Sequence, residues 1–257
     1  MITDARGREF RFDAVPRRVV SLVPSLTETL FDLGAGAAVV GATEWCIHPS
    51  SISCTRVGGT KNPDVDAVRA LQPDLVHMNL EENLRRHAEQ IEQFAPVFVT
   101  EPKSVQGVAE LIATLGGIHG RPDRAREVIG ELDRERSLMP RRRFTFACAI
   151  WKKPWMWCGG DTYVSSLVES AGGENVLGLR DRYPQMELDC MASLEPEIIF
   201  LPDEPYEFRQ ADAGEVREAT AARVIGPFPG HLFTWHGTRT IQGLAFLRSA
   251  IELHEAP

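Results

Sequence analysis

The feature that most constrains the fold of this chain is the regular alternation of strand-like and helix-like segments. In the first 120 residues, the apolar runs RRVVSLVP, AAVVGAT, PDLVHMN and PVFVT are each followed by a segment with helical spacing of apolar residues. Strands that alternate with helices in this way predict parallel β-sheets covered by helices.

Capping signals predict where several of these helices begin and end. Three predicted helix starts have a capping signal: Ser25 with Glu28, Asn62 with Pro63, and Asn79 with Glu82. One predicted helix end has a signal, with Gly34 as the C-cap.

The pattern changes at Arg121, where one long charged amphipathic segment runs to Pro140. Alternation then resumes with RFTFACAIW, DTYVSSLVESAG, PEIIFLP and TRTIQGLAFLRSAIELH, after a basic run, Arg141 to Arg143, that is typical of a solvated turn. The chain is therefore predicted to contain an N-terminal α/β lobe (1–120), a connecting helix (121–140) and a C-terminal α/β lobe (141–257).

The two predicted lobes echo each other in sequence. LQPDLVHMN and LEPEIIFLP match position by position in residue type, and LFDLGAGAAVVG resembles LVESAGGENVLG more loosely. The order of these phrases is the same in both halves, which favours two lobes of one architecture.

A ligand site is expected beyond the carboxyl ends of the strands, as in open α/β sheets generally. Two such lobes facing each other would form a cleft. Its lining is predicted from the segments that follow the strands: 24–25, 44–48, 58–62, 79–83, 151–157, 203–208 and 235–236.

Aromatic side chains are concentrated in these segments. All five tryptophans fall on or beside predicted strand ends, and aromatic-lined concave sites suit a large, partly apolar ligand. A tryptophan taken singly is more often a core residue, which is the competing interpretation. The aromatic candidates for ligand contact are Trp45, Trp151, Trp155, Trp235 and Tyr206.

The stretch EWCIHP leaves three alternatives open. Cys46 and His48 lie two apart in an extended segment, so their side chains would point to the same side and could bind one metal ion. Zinc sites, however, usually need four protein ligands, and no second pair is visible. His48 is also a candidate ligand to a metal already held in a macrocycle. The structural alternative is that His48 makes a hydrogen bond within its loop while Cys46 packs against the sheet.

Polar candidates complete the predicted lining. In GGTKNP, Thr60 and Lys61 accompany backbone amides at a helix start, an arrangement that favours anions. Ser25, Glu81 and His236 are the remaining candidate contacts, whereas the other histidines are predicted to be structural or solvated: His77, His87, His119 and His254.

Charge and cysteine content narrow the function further. The formal net charge of -8 argues against a nucleic-acid or anionic-membrane partner, and no apolar run is long enough to insert in a bilayer. Five cysteines without a CxxC pair indicate reduced, mostly structural thiols, with a Cys46–Cys54 disulfide as the alternative.

The start MITDARGREFRF is typical of a hairpin rather than of a secretory signal. The protein is expected to be cytoplasmic if Met1 is the native start, and periplasmic or extracellular if a signal peptide was removed.

The chain resembles the class III periplasmic binding proteins, and among them the vitamin B12-binding members. The resemblance is carried by PRRVVSLVPSLTETLFDLG, by VVGATEWCIHP followed by VGGTKNPDVDAVRALQPDLV, by AGGENVL and by LEPEIIFLPDEPY. It implies two lobes joined by a rigid helix, a corrinoid, haem or ferric siderophore as ligand, and an ABC importer permease as partner. Without an export signal, the chain looks like a leaderless branch of that family.

The sequence therefore predicts a non-catalytic protein that binds a small metal chelate, with no covalently bound cofactor. Two alternatives remain at this stage. One is an enzyme with Cys46 as nucleophile and His48 or His236 as base. The other is a cytoplasmic chelate sensor or carrier.

Overall fold

The computed structural model describes residues 1–140 and 142–252. Arg141 and His254, which the sequence assigns to a turn and to a structural or solvated position, lie outside the described residues. The chain begins with an antiparallel hairpin of β1 (Ile2–Thr3) and β2 (Glu9–Phe10), which confirms the predicted N-terminal hairpin.

The chain divides into two compact units. Unit 1 comprises Met1–Pro102 and Ala109–Gly130, and unit 2 comprises Lys103–Val108 and Glu131–Pro257. Helix α5 (Pro122–Ser137) crosses from one unit to the other in sequence. The finer division into 1–120, 121–140 and 141–257 stays a prediction.

Unit 1 is built on a five-stranded parallel sheet with the order β5-β4-β3-β6-β7. Its strands are β3 (Val19–Ser21), β4 (Val39–Ala42), β5 (Thr55–Arg56), β6 (Leu75–Asn79) and β7 (Val97–Thr100). Its helices are α1 (Pro24–Asp32), α2 (Val65–Ala70), α3 (Arg85–Ile91) and most of α4 (Val105–Ile118).

Alternation along the strands of unit 1 builds two apolar layers. Val20, Val76 and Val97 pack in one cluster that includes residues of α2 and α3. Their neighbours in sequence point to the opposite face, where Leu75 and Phe98 join Ile118 of α4. The strands are therefore apolar on both sides, as expected for a parallel sheet covered by helices.

Unit 2 contains a four-stranded parallel sheet, with the order β10-β8-β11-β12, and β9 pairs with β8 antiparallel. Its strands are β8 (Phe144–Trp151), β9 (Met156–Trp157), β10 (Gly173–Asn175), β11 (Ile198–Pro202) and β12 (Arg223–Phe228). Its helices are α6 (Tyr163–Glu169), α7 (Leu188–Ala192), α8 (Gln210–Ala219), α9 (His231–Thr234) and α10 (Arg239–Glu252). The mainly parallel α/β architecture predicted for both halves is confirmed.

The predicted internal repeat corresponds to a shared topology. In unit 1, β3 lies between β4 and β6 with β7 beyond β6, and in unit 2, β8 lies between β10 and β11 with β12 beyond β11. Unit 1 adds β5 at the edge beyond β4. Gln72 and Glu195, which occupy matching positions in the two phrases, both adopt positive φ, of 45° and 49°.

Two of the predicted helix caps are wrong. Helix α1 has Pro24 at its first position, so its N-cap is Val23, and Ser25 already lies inside the first turn. Helix α2 begins later than predicted, because the side chain of Asp64, not of Asn62, caps it by accepting a bond from Ala67 N.

The predicted capping box at Asn79 is also wrong. Helix α3 starts at Arg85, and the Asn79 carboxamide instead accepts bonds from the amides of Glu81 and Glu82, at 2.8 and 3.2 Å. These bonds close a turn at the end of β6 and leave 80–84 as a loop.

The predicted helix end at Gly34 is confirmed. Gly34 has a φ of +73°, its N–H donates to Phe31 O, and the next N–H, of Ala35, donates to Leu30 O. This pair of bonds is a Schellman motif, in which the left-handed conformation favours glycine.

Within residues 1–140 and 142–252, the chain has no helix that combines the length and apolar character needed to cross a membrane.

Candidate functional site

The carboxyl edge of the unit 1 sheet carries the first group of predicted contacts. Because all five strands are parallel, the loops that follow them emerge at one edge of the sheet. These loops contain seven predicted contacts: Ser25, Trp45, Cys46, His48, Thr60, Lys61 and Glu81.

Asn83 ties three of these loops together. This buried side chain donates from Nδ2 to Leu22 O, at 3.0 Å, and to Thr60 O, at 2.9 Å. Its Oδ1 accepts from Asn79 N at 2.8 Å. One carboxamide therefore joins the segments that follow β3, β5 and β6.

Trp45 is the most prominent apolar side chain at this edge, with 63% of its surface exposed. Its loop is held from below by Arg56, whose guanidinium donates to Thr43 O and Cys46 O at 2.8 and 2.9 Å. The indole lies beside Gly59, where an added Cβ would be 3.4 Å from the Trp45 Nε1 atom. A large aromatic ring is thus presented to solvent on a braced backbone.

Cys46 points away from this surface and into the core. It is fully buried among Val19, Leu30 and Ala42, and its Sγ lies 3.1 Å from the hydroxyl groups of both Thr27 and Thr43. Burial raises the pKa of the Cys46 thiol. This environment fits a packed thiol rather than a metal ligand or a nucleophile, and Cys46 and Cys54 are both free thiols.

We expect Cys46 to resist alkylation. With excess iodoacetamide at pH 7 the exposed Cys190 should react about a hundredfold faster than Cys46, because Cys46 is buried and protonated. Mass mapping of labelled peptides over time measures both rates, with a urea-unfolded sample as control. Comparable rates at Cys46 and Cys190 in the folded protein would restore the nucleophile hypothesis.

The polar candidates of unit 1 differ in exposure. His48 and Thr60 are half-buried, Lys61 and Glu81 are exposed, and Ser25 is buried in the first turn of α1. The ammonium group of Lys61 donates to Glu81 O, so Lys61 links the loops after β5 and β6.

The carboxyl edge of the unit 2 sheet carries an aromatic ladder. Trp151, 41% exposed at the end of β8, meets Tyr206 edge to face with ring centres 5.5 Å apart. Tyr206 contacts Phe208 at 4.8 Å, and Phe208 stacks on Trp155 at 5.7 Å. Trp155 is buried in the core, so only the Trp151 end of the ladder is open to solvent.

Trp235 is fixed at the same edge by Glu204. The Trp235 indole donates to Glu204 Oε2 at 3.2 Å, and Thr234 Oγ1 donates to the same oxygen at 3.4 Å. Burial, with the nearby charge of Asp203, raises the pKa of Glu204. The Arg239 guanidinium lies 5.8 Å from the centre of the Trp235 ring.

His236 is buried, unlike its neighbour Trp235. Burial lowers its pKa to about 4, so the ring is neutral at pH 7. It packs edge to face on Tyr163 with ring centres 6.2 Å apart. This position fits a structural histidine more closely than the predicted ligand contact.

Sequence reasoning missed three residues of these edges: Asn83, Glu204 and Arg239. Asn83 and Glu204 fall inside the predicted loop segments, but neither is among the predicted contacts, because no residue pattern distinguishes a buried carboxamide or carboxylate from a solvated one. Arg239 begins α10 while Trp235 is the C-cap of α9, so no helical spacing in the sequence links the two residues.

Among residues 1–140 and 142–252, no three histidine, cysteine or acidic side chains lie close enough to hold a metal ion together.

Comparison with known proteins adds a family match. Residues 19–219 match the family described as periplasmic binding protein. The chain is 23% identical over 192 residues to a vitamin B12-binding protein of Vibrio campbellii, covering 72% of this chain and 70% of that one. It is 24% identical over 267 residues to an uncharacterized ABC transporter substrate-binding lipoprotein of Bacillus subtilis, YvrC, covering 97% and 84%.

Solved structures share the fold. The periplasmic vitamin B12 binding protein BtuF of Vibrio cholerae superposes with a TM-score of 0.77 at 16% identity, covering 94% of this chain and 99% of that one. A periplasmic heme binding protein from Pseudomonas aeruginosa gives 0.77 at 21% identity, covering 93% and 94%.

Proposed function

The chain belongs to the periplasmic binding protein family, and on that premise we propose that it is a non-catalytic protein that binds a metal chelate. The proposed ligand is a corrinoid, haem or a ferric siderophore. Relatives described as B12-binding or haem-binding support this class. The partner is proposed to be an ABC importer permease, in line with the description of the Bacillus subtilis relative.

The observation that carries the proposal is the exposure of aromatic rings at the carboxyl edges of the sheets. Trp45 and Trp151 leave 63% and 41% of their surface in water, although burial of a tryptophan is strongly favourable. Both are held on braced backbone, Trp45 by Arg56 and Trp151 at the end of β8. Flat, rigid aromatic surfaces suit a planar chelate, and each is a proposed ligand-contact surface.

The polar side chains beside these rings supply the proposed specificity. Lys61, exposed at the edge of unit 1, is a cation suited to carboxylate or phosphate groups at a chelate's periphery. Thr60, Glu81 and Tyr206 offer hydrogen-bonding groups at the same edges. Trp155, Cys46 and His236 support these surfaces from the core rather than contact the ligand.

Trp45→Ala tests the contact directly. We expect about tenfold or greater loss of chelate affinity, because an aromatic anchor of the ligand is removed. The free energy of unfolding should change by less than about 0.5 kcal/mol, since the ring is mostly exposed. Leu138→Ala, at another exposed apolar side chain, is the matched control. Equal affinity of Trp45→Ala and wild type would remove Trp45 from the site.

His48 is proposed as an axial ligand to the metal that the chelate carries. We expect His48→Ala to shift the visible absorption bands of bound ferric haem or of a bound cobalamin, because an imidazole nitrogen leaves the metal. His48→Asn, which keeps a polar side chain without the imidazole, should give the same shift. Unchanged spectra in both variants would exclude ligation by His48.

A further inference from the structure

Cys148 and Cys158 face each other across the hairpin that carries Trp151. The pairing of Ala149 with Trp157 in β8 and β9 puts the two cysteines opposite each other one step further along. Cys158 N donates to Cys148 O at 2.8 Å. The hairpin 149–157 is thus bounded at its base by two thiols.

The side chains of these cysteines lie on the same face of the pairing, because opposed residues of an antiparallel pair do. Both thiols are free and fully buried. Opposed residues of an antiparallel pair have Cα atoms about 4.5 to 5.5 Å apart, which lies within the range that disulfides span. Neither thiol has a part in the proposed function.

We propose that Cys148 and Cys158 are a modification site, a dithiol that oxidises to an intramolecular disulfide by exchange with a low-molecular-weight disulfide. One thiolate attacks the reagent to give a mixed disulfide and releases one thiolate. The second cysteine then displaces the other half of the reagent. Two cysteine thiols and one disulfide become one protein disulfide and two small thiols, and the two protons of the cysteines pass to the leaving thiolates.

The rate of this exchange is set by opening of the hairpin. Burial raises the pKa of the Cys148 thiol, and the neighbouring Cys158 adds to the effect. The reactive thiolate therefore forms only when the β8–β9 pairing opens locally. Oxidation is expected to be slow, and the disulfide, once the hairpin has closed over it, slow to reduce.

The cross-link would fix the segment that presents Trp151 at the carboxyl edge. That segment is already tied to α8, because Lys152 Nζ lies 2.5 Å from carboxylate oxygens of Asp212 and Glu215. Closing a loop of this size should raise the melting temperature of the oxidised protein by about 5 °C. Amide hydrogen exchange in 149–157 should slow in parallel.

The test uses the full chain with Cys54→Ser and Cys190→Ser, which removes the thiols that are partly or fully exposed. The protein is incubated with excess oxidised glutathione at pH 8.5, below its unfolding transition, and followed by intact mass and peptide mapping. The expected result is the loss of two hydrogen atoms, a Cys148–Cys158 cross-linked peptide and the rise in melting temperature.

Two control variants, Cys148→Ser and Cys158→Ser, should each give no such cross-link. The proposal is overturned if both cysteines stay free, if they accumulate only as glutathione adducts, or if either pairs with Cys46. Peptide mapping of the otherwise unmodified wild-type chain gives the same distinction should a variant fold poorly.

Discussion

Acidification from pH 7 to pH 4 is expected to lower the free energy of unfolding by about 3 kcal/mol through His119 and by about the same amount through His236. Burial lowers the pKa of each ring to about 4, from an ordinary value of 6.5. The unfolded chain therefore binds protons from pH 6.5 downward, while the folded chain resists them until about pH 4. Stability is fully present above pH 6.5 and is lost across that window.

In unit 1, His77 adds to the loss of folding stability on acidification. Its Nε2 lies 2.9 Å from Nε2 of His119, so one ring must donate and the other accept, and both facing atoms cannot be protonated together. Burial, followed by the neighbouring His119, lowers the pKa of His77 well below its ordinary value. A charged pair in this apolar site beside Phe98 is strongly disfavoured.

Urea unfolding at several pH values between 7 and 4 measures the effect. His119→Asn and His236→Asn should each have a shallower pH slope than wild type, and each variant is the control for the other because the two rings lie in different units. The comparison uses the change of the free energy of unfolding with pH in each variant, not its value at a single pH. Slopes parallel to wild type in both variants would show that neither histidine is buried in its neutral form.

Asn83→Ala is expected to lower the free energy of unfolding by about 3 kcal/mol. The substitution removes two donors and one acceptor that serve Leu22 O, Thr60 O and Asn79 N, and unsatisfied buried groups cost about 1 to 3 kcal/mol each. It should also weaken ligand binding, because the loops after β3, β5 and β6 lose their common anchor.

Urea denaturation at pH 7 tests this, with Gln93→Ala as control. Gln93 is an exposed carboxamide just beyond α3, so its loss should change stability by less than about 0.5 kcal/mol. If Asn83→Ala matches Gln93→Ala in stability, the three hydrogen bonds do not hold the edge together.

Long apolar strands followed by amphipathic helices made most of the fold predictable from sequence. Leu75–Asn79 and Ile198–Pro202 were predicted because each is a mainly apolar run that starts two positions after a proline. The strand Arg223–Phe228 was missed because Gly226 and Pro227 interrupt its pattern. The strand Gly173–Asn175 was missed because three residues carry too little periodicity.

The chemistry of the candidate site was less predictable than its location. The sequence placed Trp45, Trp151 and Trp155 alike at strand ends, but only packing decides that Trp155 is buried against Phe208 while Trp45 stays exposed. Cys46 and Trp45 are adjacent in sequence and face opposite environments. The predicted helix starts were wrong for a related reason, because several polar residues near each start could have served as the N-cap.

Spectroscopic titration of the full chain with cyanocobalamin, ferric haem and a ferric siderophore, one at a time, tests the proposed function most directly. Absorbance reports on the metal chelate, and tryptophan fluorescence reports on Trp45 and Trp151. We predict saturable one-site binding of at least one of the three, with a Kd of about 1 µM or tighter, accompanied by quenching of fluorescence. Absence of saturable binding and of quenching with all three chelates would contradict the account.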